Sequence, residues 1–264
     1  MRKLLILSLL SIFFIQDFPG YKILGKIESD NNYFSTDPLG NVYLINKNII
    51  SRYNKDGSFE NSFSNSISGN ISFADLSDPL RIMLYFSDFN QLIFLDNTLS
   101  RIGDYVSLDD YGFDLVSTVC TSANGGIWLY DQKKEAVVYL DRNMKIKQQT
   151  PRISNIIDFI EEPDFMLEKD NKVFLNIPGA GIVIFDNFGS YLKCLALKNI
   201  NEFQVFEEQI VYYIDKKLQL YNFNNNTEKN IDLPSFSQLR QVRLEQKIIY
   251  LSGDQAVYII EKNK

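Results

Sequence analysis

Asp37-Pro38-Leu39-Gly40-Asn41-Val42-Tyr43-Leu44 reads as a turn running into a short apolar strand. The strand recurs as Met83-Leu84-Tyr85, Ile127-Trp128-Leu129, Val173-Phe174-Leu175, Val211-Tyr212-Tyr213 and Ile249-Tyr250-Leu251. Counted from Tyr43, the centres lie 41, 44, 46, 38 and 38 residues apart. A strand-built period of about 40 residues is the mark of a β-propeller, in which each repeat is one four-stranded blade.

Each copy is the second strand of its repeat. A third, equally apolar strand follows at residues 49–53, 92–95, 136–140, 181–185, 218–221 and 256–260. Middle strands of a blade are covered on both faces, so they read as continuous apolar runs rather than clean alternation. Val137-Val138-Tyr139-Leu140 and Ile182-Val183-Ile184-Phe185 do so. Asn54-Lys55-Asp56-Gly57, Asp96-Asn97, Asp141-Arg142-Asn143 and Asp186-Asn187-Phe188-Gly189 mark the turns that come next. The repeated Asp96, Asp141 and Asp186 do not read as a metal site, because such turns point outward in separate blades. First strands are expected at residues 33–37, 71–75, 116–121, 165–168, 203–206 and 242–245. Their mixed character suits a water-lined central channel.

The last repeat stops after its third strand, and one unassigned strand-like segment, residues 21–28, stands before the first. An open sheet edge invites slippage and aggregation. The segment is therefore expected to complete the last blade. The reading is an all-β chain, a single six-bladed β-propeller of four-stranded blades over residues 21–264, closed by an N-terminal strand. The stretch 153–165 has some helical spacing, but Pro163 interrupts it.

Arg2 and Lys3 precede twelve uncharged residues, 4–15, rich in Leu, Ile and Phe. A basic start with a hydrophobic run too short to span a bilayer predicts a signal peptide over residues 1–16 and an exported protein. Phe14-Ile15-Gln16-Asp17 lacks a small-residue cleavage pattern, so an uncleaved anchor is the alternative. No membrane span is expected in the mature form. The formal charge of −6 argues against nucleic acid as a partner. Cys120 and Cys194 fall in different repeats and different strands, which favours two isolated thiols over a disulfide.

The wording Asp37-Pro38-Leu39-Gly40-Asn41-Val42-Tyr43-Leu44, echoed by Gly125-Gly126-Ile127-Trp128-Leu129, resembles bacterial six-bladed propellers of the NHL and TolB-like superfamily. The resemblance covers residues 21–264. The later repeats depart from it: Asp170-Asn171-Lys172-Val173 and Glu208-Gln209-Ile210-Val211 lack the glycine. The resemblance implies an exported propeller of the periplasm or cell surface of a Gram-negative bacterium, with a Bacteroidota flavour. It also implies a protein partner in an envelope or outer-membrane secretion complex.

The chain contains no histidine. That removes the commonest general base, the Ser-His and Cys-His nucleophile systems and the commonest ligand of zinc, copper or haem. No cofactor is expected. Carboxylates gather in two places. Asp104, Asp109, Asp110 and Asp114 alternate with Tyr105, Tyr111 and Phe113, and Asp158, Glu161, Glu162, Asp164 and Glu168 follow a repeat later. Both groups are expected in successive blade-to-blade loops, side by side at the channel mouth. Acid/base work on a sugar, Ca²⁺ binding and plain solvated charge all fit such acids. For the interleaved aromatics, local packing competes with contact to a partner. The expectation is a non-enzymatic binding module whose partner face is Asp104, Tyr105, Asp109, Asp110, Tyr111, Phe113, Asp158, Glu161, Glu162 and Asp164. The alternative is a carboxylate- or calcium-dependent hydrolase or lyase of the six-bladed lactonase type. For that, Asp37, Asp75 and Glu168 are the plausible channel acids.

Overall fold

The computed structural model describes residues 18–29, 33–158, 161–236 and 238–263. The proposed signal segment, residues 1–16, lies outside them. Six four-stranded antiparallel sheets succeed one another along the chain. Blades 1 to 5 take residues 33–64, 73–107, 116–149, 165–195 and 203–231 in simple up-and-down order. Blade 6 takes its three inner strands from residues 241–262 and its outer strand from Tyr21–Glu28. The rest is turns, with three single-turn 3-10 segments at Ser87–Phe89, Asp109–Tyr111 and Ile153–Asn155. Among the described residues of 153–165, where the sequence has some helical spacing, the last is the one helical turn. No helix among the described residues is long and apolar enough to cross a membrane.

The apolar runs find their reason in the packing. The buried side chains fall into six clusters, one at each blade-to-blade junction. Within one strand, alternate residues serve opposite junctions. Ile82, Leu84 and Phe86 pack against blade 1, while Met83 and Tyr85 pack against blade 3. A middle strand thus buries both faces and cannot afford a polar stripe. Outer strands have only one flank covered and read as polar, as in Ile146–Gln149 and Thr227–Ile231.

The closing strand pairs antiparallel with Ala256–Lys262, from Tyr21 opposite Lys262 to Glu28 opposite Ala256. The register slips between Ile23 and Gly25. There the strand passes so close to the Asp56 carbonyl of blade 1 that no Cβ fits at Gly25. Phe18, just ahead of the strand, is buried against Phe236 and Tyr258.

The up-and-down order gives the ring two loop faces. Blade-to-blade connections and the turns between second and third strands share one, the entry face. Turns between first and second and between third and fourth strands share the other, the exit face. On the exit face, blades 1 to 3 carry long loops at residues 37–41, 76–81 and 122–126, whereas blades 4 to 6 make two-residue hairpins at 170–171, 207–208 and 246–247. This explains why the later repeats lose the Asp/Gly wording: they no longer build the turn that needs it. Asp96, Asp141 and Asp186 have a local task. Each Oδ1 accepts the backbone N–H groups two and four residues on, at 2.8–3.0 Å. Cys120 and Cys194 are both free thiols.

Candidate functional site

The channel lining is mixed, as the character of the first strands suggests, with an aromatic side and a polar side. Phe73 of blade 2, Phe165 of blade 4 and Phe203 of blade 5 meet edge to face, with ring centroids 5.7 and 5.1 Å apart. They close one side of it. The other side is a hydrogen-bonded wall from blades 5, 6 and 1. Thr36 Oγ1 and Gln204 Nε2 both donate to Glu245 Oε1, at 2.6 and 2.8 Å. Arg243 Nε donates to Thr36 Oγ1 at 2.8 Å. Gln204 also clamps the backbone of Leu244 through donor and acceptor, both at 2.9 Å. The space left between the wall and the rings is about 150 Å³. Towards the entry face it meets a pocket of about 410 Å³ between blades 5 and 6, lined by Tyr33, Glu202, Tyr212 and Arg243. Glu202 accepts from Gln241 at 3.3 Å and lies 3.8 Å from the Arg243 guanidinium. Burial pushes the carboxyls of Glu202 and Glu245 above the ordinary range, and Arg243 holds both back.

The three expected channel acids are already spent. Asp37 Oδ1 accepts from the backbone of Leu39 and Asn41, while its Oδ2 accepts from the Asn41 amide and the Tyr43 hydroxyl. Asp75 reaches across to blade 3, taking the N–H and hydroxyl of Thr121 at 2.7 and 2.8 Å. Glu168 reaches the same blade from the other side, accepting from Ala123 N and from Trp128 Nε1 at 2.6 Å. These carboxylates tie turns and blades together. Among the described residues, no three His, Cys, Asp or Glu side chains converge as a metal site would require. Arg243 and Glu245 lie in the expected channel strand 242–245, but neither they nor Glu202 is singled out by the sequence as a candidate site residue. The alternation Val242-Arg243-Leu244-Glu245 was the signal that could have found Arg243 and Glu245.

The ten residues expected on the partner face scatter in role. Asp104 and Tyr105 lie in the outer strand Arg101–Ser107, not in a loop, and Arg101 stacks on the Tyr105 ring at 4.7 Å. Phe113 is fully buried at the junction of blades 2 and 3, so local packing is its role. Asp109 accepts from Asn90 Nδ2 at 2.6 Å and anchors its own loop. Asp110 and Tyr111 stand exposed. In the next connection, Asp158, Glu161 and Glu162 are exposed, and Asp164 accepts from Asn176 Nδ2 at 2.7 Å. Desolvation raises the Asp164 and Glu162 carboxyls, the latter with help from Glu135.

Both acidic segments belong to the entry face, but they are not continuous. The second-to-third turn of blade 3 lies between them and brings cations: Lys133 pairs with Asp114, Lys134 with Asp131, and Arg152 with Glu135. On the blade 1 side the surface continues differently. The connection from blade 1 is stitched to the turn Ser87–Phe89 by a Ser72–Ser87 hydroxyl bond of 2.6 Å, with Gly69 against Asp88. Asn90 then joins that turn to Asp109 and the Phe113 carbonyl. Along these three stitched segments Ile67, Phe89, Tyr111 and Leu115 are 75%, 53%, 46% and 49% exposed. Asp88, Asp109 and Asp110 flank them.

The geometry defines an all-β six-bladed propeller with a narrowed channel and with exposed apolar side chains, Ile67, Phe89, Tyr111 and Leu115, on its entry face. No protein-family model matches the chain, and no curated protein matches its sequence. Among solved structures, the chain is similar to virginiamycin B lyase from Staphylococcus aureus, with a TM-score of 0.63 and 11% identity over 91% of this chain and 99% of the lyase. The Pan2 WD40 domain of Neurospora crassa is similar at a TM-score of 0.57 and 9% identity, over 94% of this chain and 98% of that domain. BamB from Moraxella catarrhalis follows at 0.54 and 10%, over 91% and 99%. Identities this low show the fold alone.

Proposed function

We propose that the protein is a non-enzymatic, exported binding module of the periplasm or cell surface that presents its entry face to another protein, within an envelope or secretion complex. The observation that carries this reading is the ridge Ile67, Phe89, Tyr111 and Leu115: four large apolar side chains in contiguous segments, left in water. Such a patch in a stable fold marks an interaction surface. Its flanking acids select a partner segment that is apolar and basic. The basic, hydrophobic start of the chain supports export.

The lyase reading lacks a reacting group. A virginiamycin B lyase variant with one histidine changed to alanine is catalytically inactive, and this chain has no histidine to offer. Of the channel carboxylates, Asp37, Asp75 and Glu168 are committed to turns and blade junctions, while Glu245 is held by Thr36 and Gln204 and Glu202 faces Arg243.

A pull-down from the native envelope with the wild-type chain and with the Ile67→Glu, Phe89→Glu double variant tests the proposal. Both side chains are solvent-facing, so the variant keeps the wild-type thermal midpoint. A partner captured by the wild type should be lost from the variant. Equal capture by both would move the interface off this ridge.

A further inference from the structure

The exit face holds a second site of opposite chemistry. Between the long loops of blades 2 and 3 and the hairpin of blade 4 lies a cleft of about 700 Å³, bordered by Ser77, Arg81, Thr121, Ser122, Arg142 and Glu168. Arg81 is fixed in it: its guanidinium stacks on the Phe94 ring at 4.0 Å. Arg142 reaches in from the third-to-fourth turn of blade 3, and its guanidinium lies over Gly125.

Neither guanidinium has a carboxylate partner. Arg52, Arg152, Arg240 and Arg243 all form ion pairs. Among the described residues, Arg81 and Arg142 form none and donate no side-chain hydrogen bond. Asp78 and Asp75 act on Arg81 at a distance, after burial and Arg142 in weight, and neither forms an ion pair with it. Asp78 accepts from its own turn, at Leu80 N. Glu168 is held by Ala123 N and Trp128 Nε1. Asp170, in the blade 4 hairpin, pairs with neither arginine. Burial, and then the charge of Arg142, lower the Arg81 pKa, so the two cations feel each other. Two unpaired guanidiniums facing one cleft in a chain of net charge −6 are an arrangement that an anion relieves. Ser77 adds a hydroxyl at the floor, 3.1 Å from Thr121 Oγ1.

We infer that this cleft binds an oxyanion, a carboxylate or a phosphoryl group, between Arg81 and Arg142. Guanidinium is the group whose planar fork suits either ligand. The site lies on the opposite face from the proposed protein-binding ridge and stands or falls independently of it.

The chain supplies its own reporter. It has one tryptophan, and that indole N–H donates to Glu168 on the cleft wall. In the ¹⁵N-labelled full-length protein its cross-peak is followed while chloride is exchanged, at constant ionic strength, for inorganic phosphate and separately for acetate or citrate. A saturable shift is expected with at least one of them. Saturation by phosphate alone assigns a phosphoryl ligand, and saturation by the carboxylates assigns a carboxylate. Arg142→Gln alters an exposed side chain and should leave the thermal midpoint in place. It should weaken binding by on the order of tenfold or more, the scale of one charge-assisted contact. Arg81→Gln should weaken it likewise, as a second and independently folded variant. A linear or absent shift with every anion overturns the inference, as does undiminished binding by Arg142→Gln.

Discussion

At the scale of single residues, the same chemical type does different work according to what surrounds it. Trp128 is almost wholly buried, meets Tyr139 at a tilt with ring centroids 5.0 Å apart and donates its N–H to Glu168. Trp128→Ala should cost about 3–5 kcal/mol in a denaturant titration, because it opens a cavity and also strips Glu168 of a partner. Trp128→Phe restores most of the volume but not the donor, so it should fall between the two. A native emission maximum like that of tryptophan in water would contradict the burial. Glu202 behaves oppositely. Burial raises its pKa from the usual 4.5, so the folded state holds the proton more tightly than the unfolded chain. Its contribution is therefore most favourable below pH 4.5 and is lost as pH rises through the folded value. Glu202→Gln should lessen the decline of stability over that window, read as the difference between wild-type and variant denaturation curves. Parallel curves across the window would show that the carboxyl is not desolvated. None of this was legible one residue at a time. Burial of Trp128 followed from its place in an apolar run, but Phe113 and Tyr111 look alike in sequence. Only the packing of blade 2 on blade 3 separates a core residue from an exposed one.

At the scale of strands and turns, much more could be read. Second and third strands were visible because two-sided burial forces unbroken apolar runs, as in Ala136–Leu140. The closing strand Tyr21–Glu28 was visible as a supply matching a deficit. Its deletion should expose the edge of Ala256–Lys262 and cost on the order of several kcal/mol, summed over the paired backbone groups. Gly25→Ala tests the same closure more gently, since the Asp56 carbonyl must retreat. An unchanged thermal midpoint in either would mean that the ring does not depend on this strand. Turns were less legible. Asp215-Lys216, joining the second and third strands of blade 5, takes positive φ at both residues, 49° and 63°. Nothing in its composition announces this, because tight pairing of Gln209–Ile214 with Lys217–Asn222 imposes it. Lys216 is exposed, and its side chain makes no hydrogen bond among the described residues. Lys216→Gly should relieve roughly 1–2 kcal/mol of left-handed strain and return about half of it as unfolded-state entropy. A small rise in the denaturation midpoint is expected, and a fall would show that the turn carries no strain.

At the scale of the whole molecule, the ring gives its two faces opposite surfaces from one repeated plan. Long exit-face loops occur only in blades 1 to 3, so the Arg81–Arg142 cleft forms at one place in the ring. The apolar ridge likewise forms only where blades 1, 2 and 3 join on the entry face. The repeat could reveal the ring but not these sites, because they arise where the repeats differ. On the proposed reading, charge governs how the entry face would meet a protein partner. A net charge of −6 repels acidic proteins at long range and attracts basic ones. Asp109 is unsuitable for testing this, since it anchors Asn90. Asp88, Asp110, Glu161 and Glu162 are exposed and can be neutralised without touching the loop frame. Changing them to Asn or Gln should leave the thermal midpoint nearly unchanged, because exposed charges contribute little to stability. Association with the captured partner, followed by stopped flow, should slow by about tenfold at low salt, the lower end of electrostatic steering. Near 1 M salt, where the screening length is about 3 Å, variant and wild type should converge. The dissociation rate should hardly move, since the Ile67 and Phe89 contacts are intact. Equal association rates at low salt would detach the acids from recognition and leave the apolar ridge to act alone.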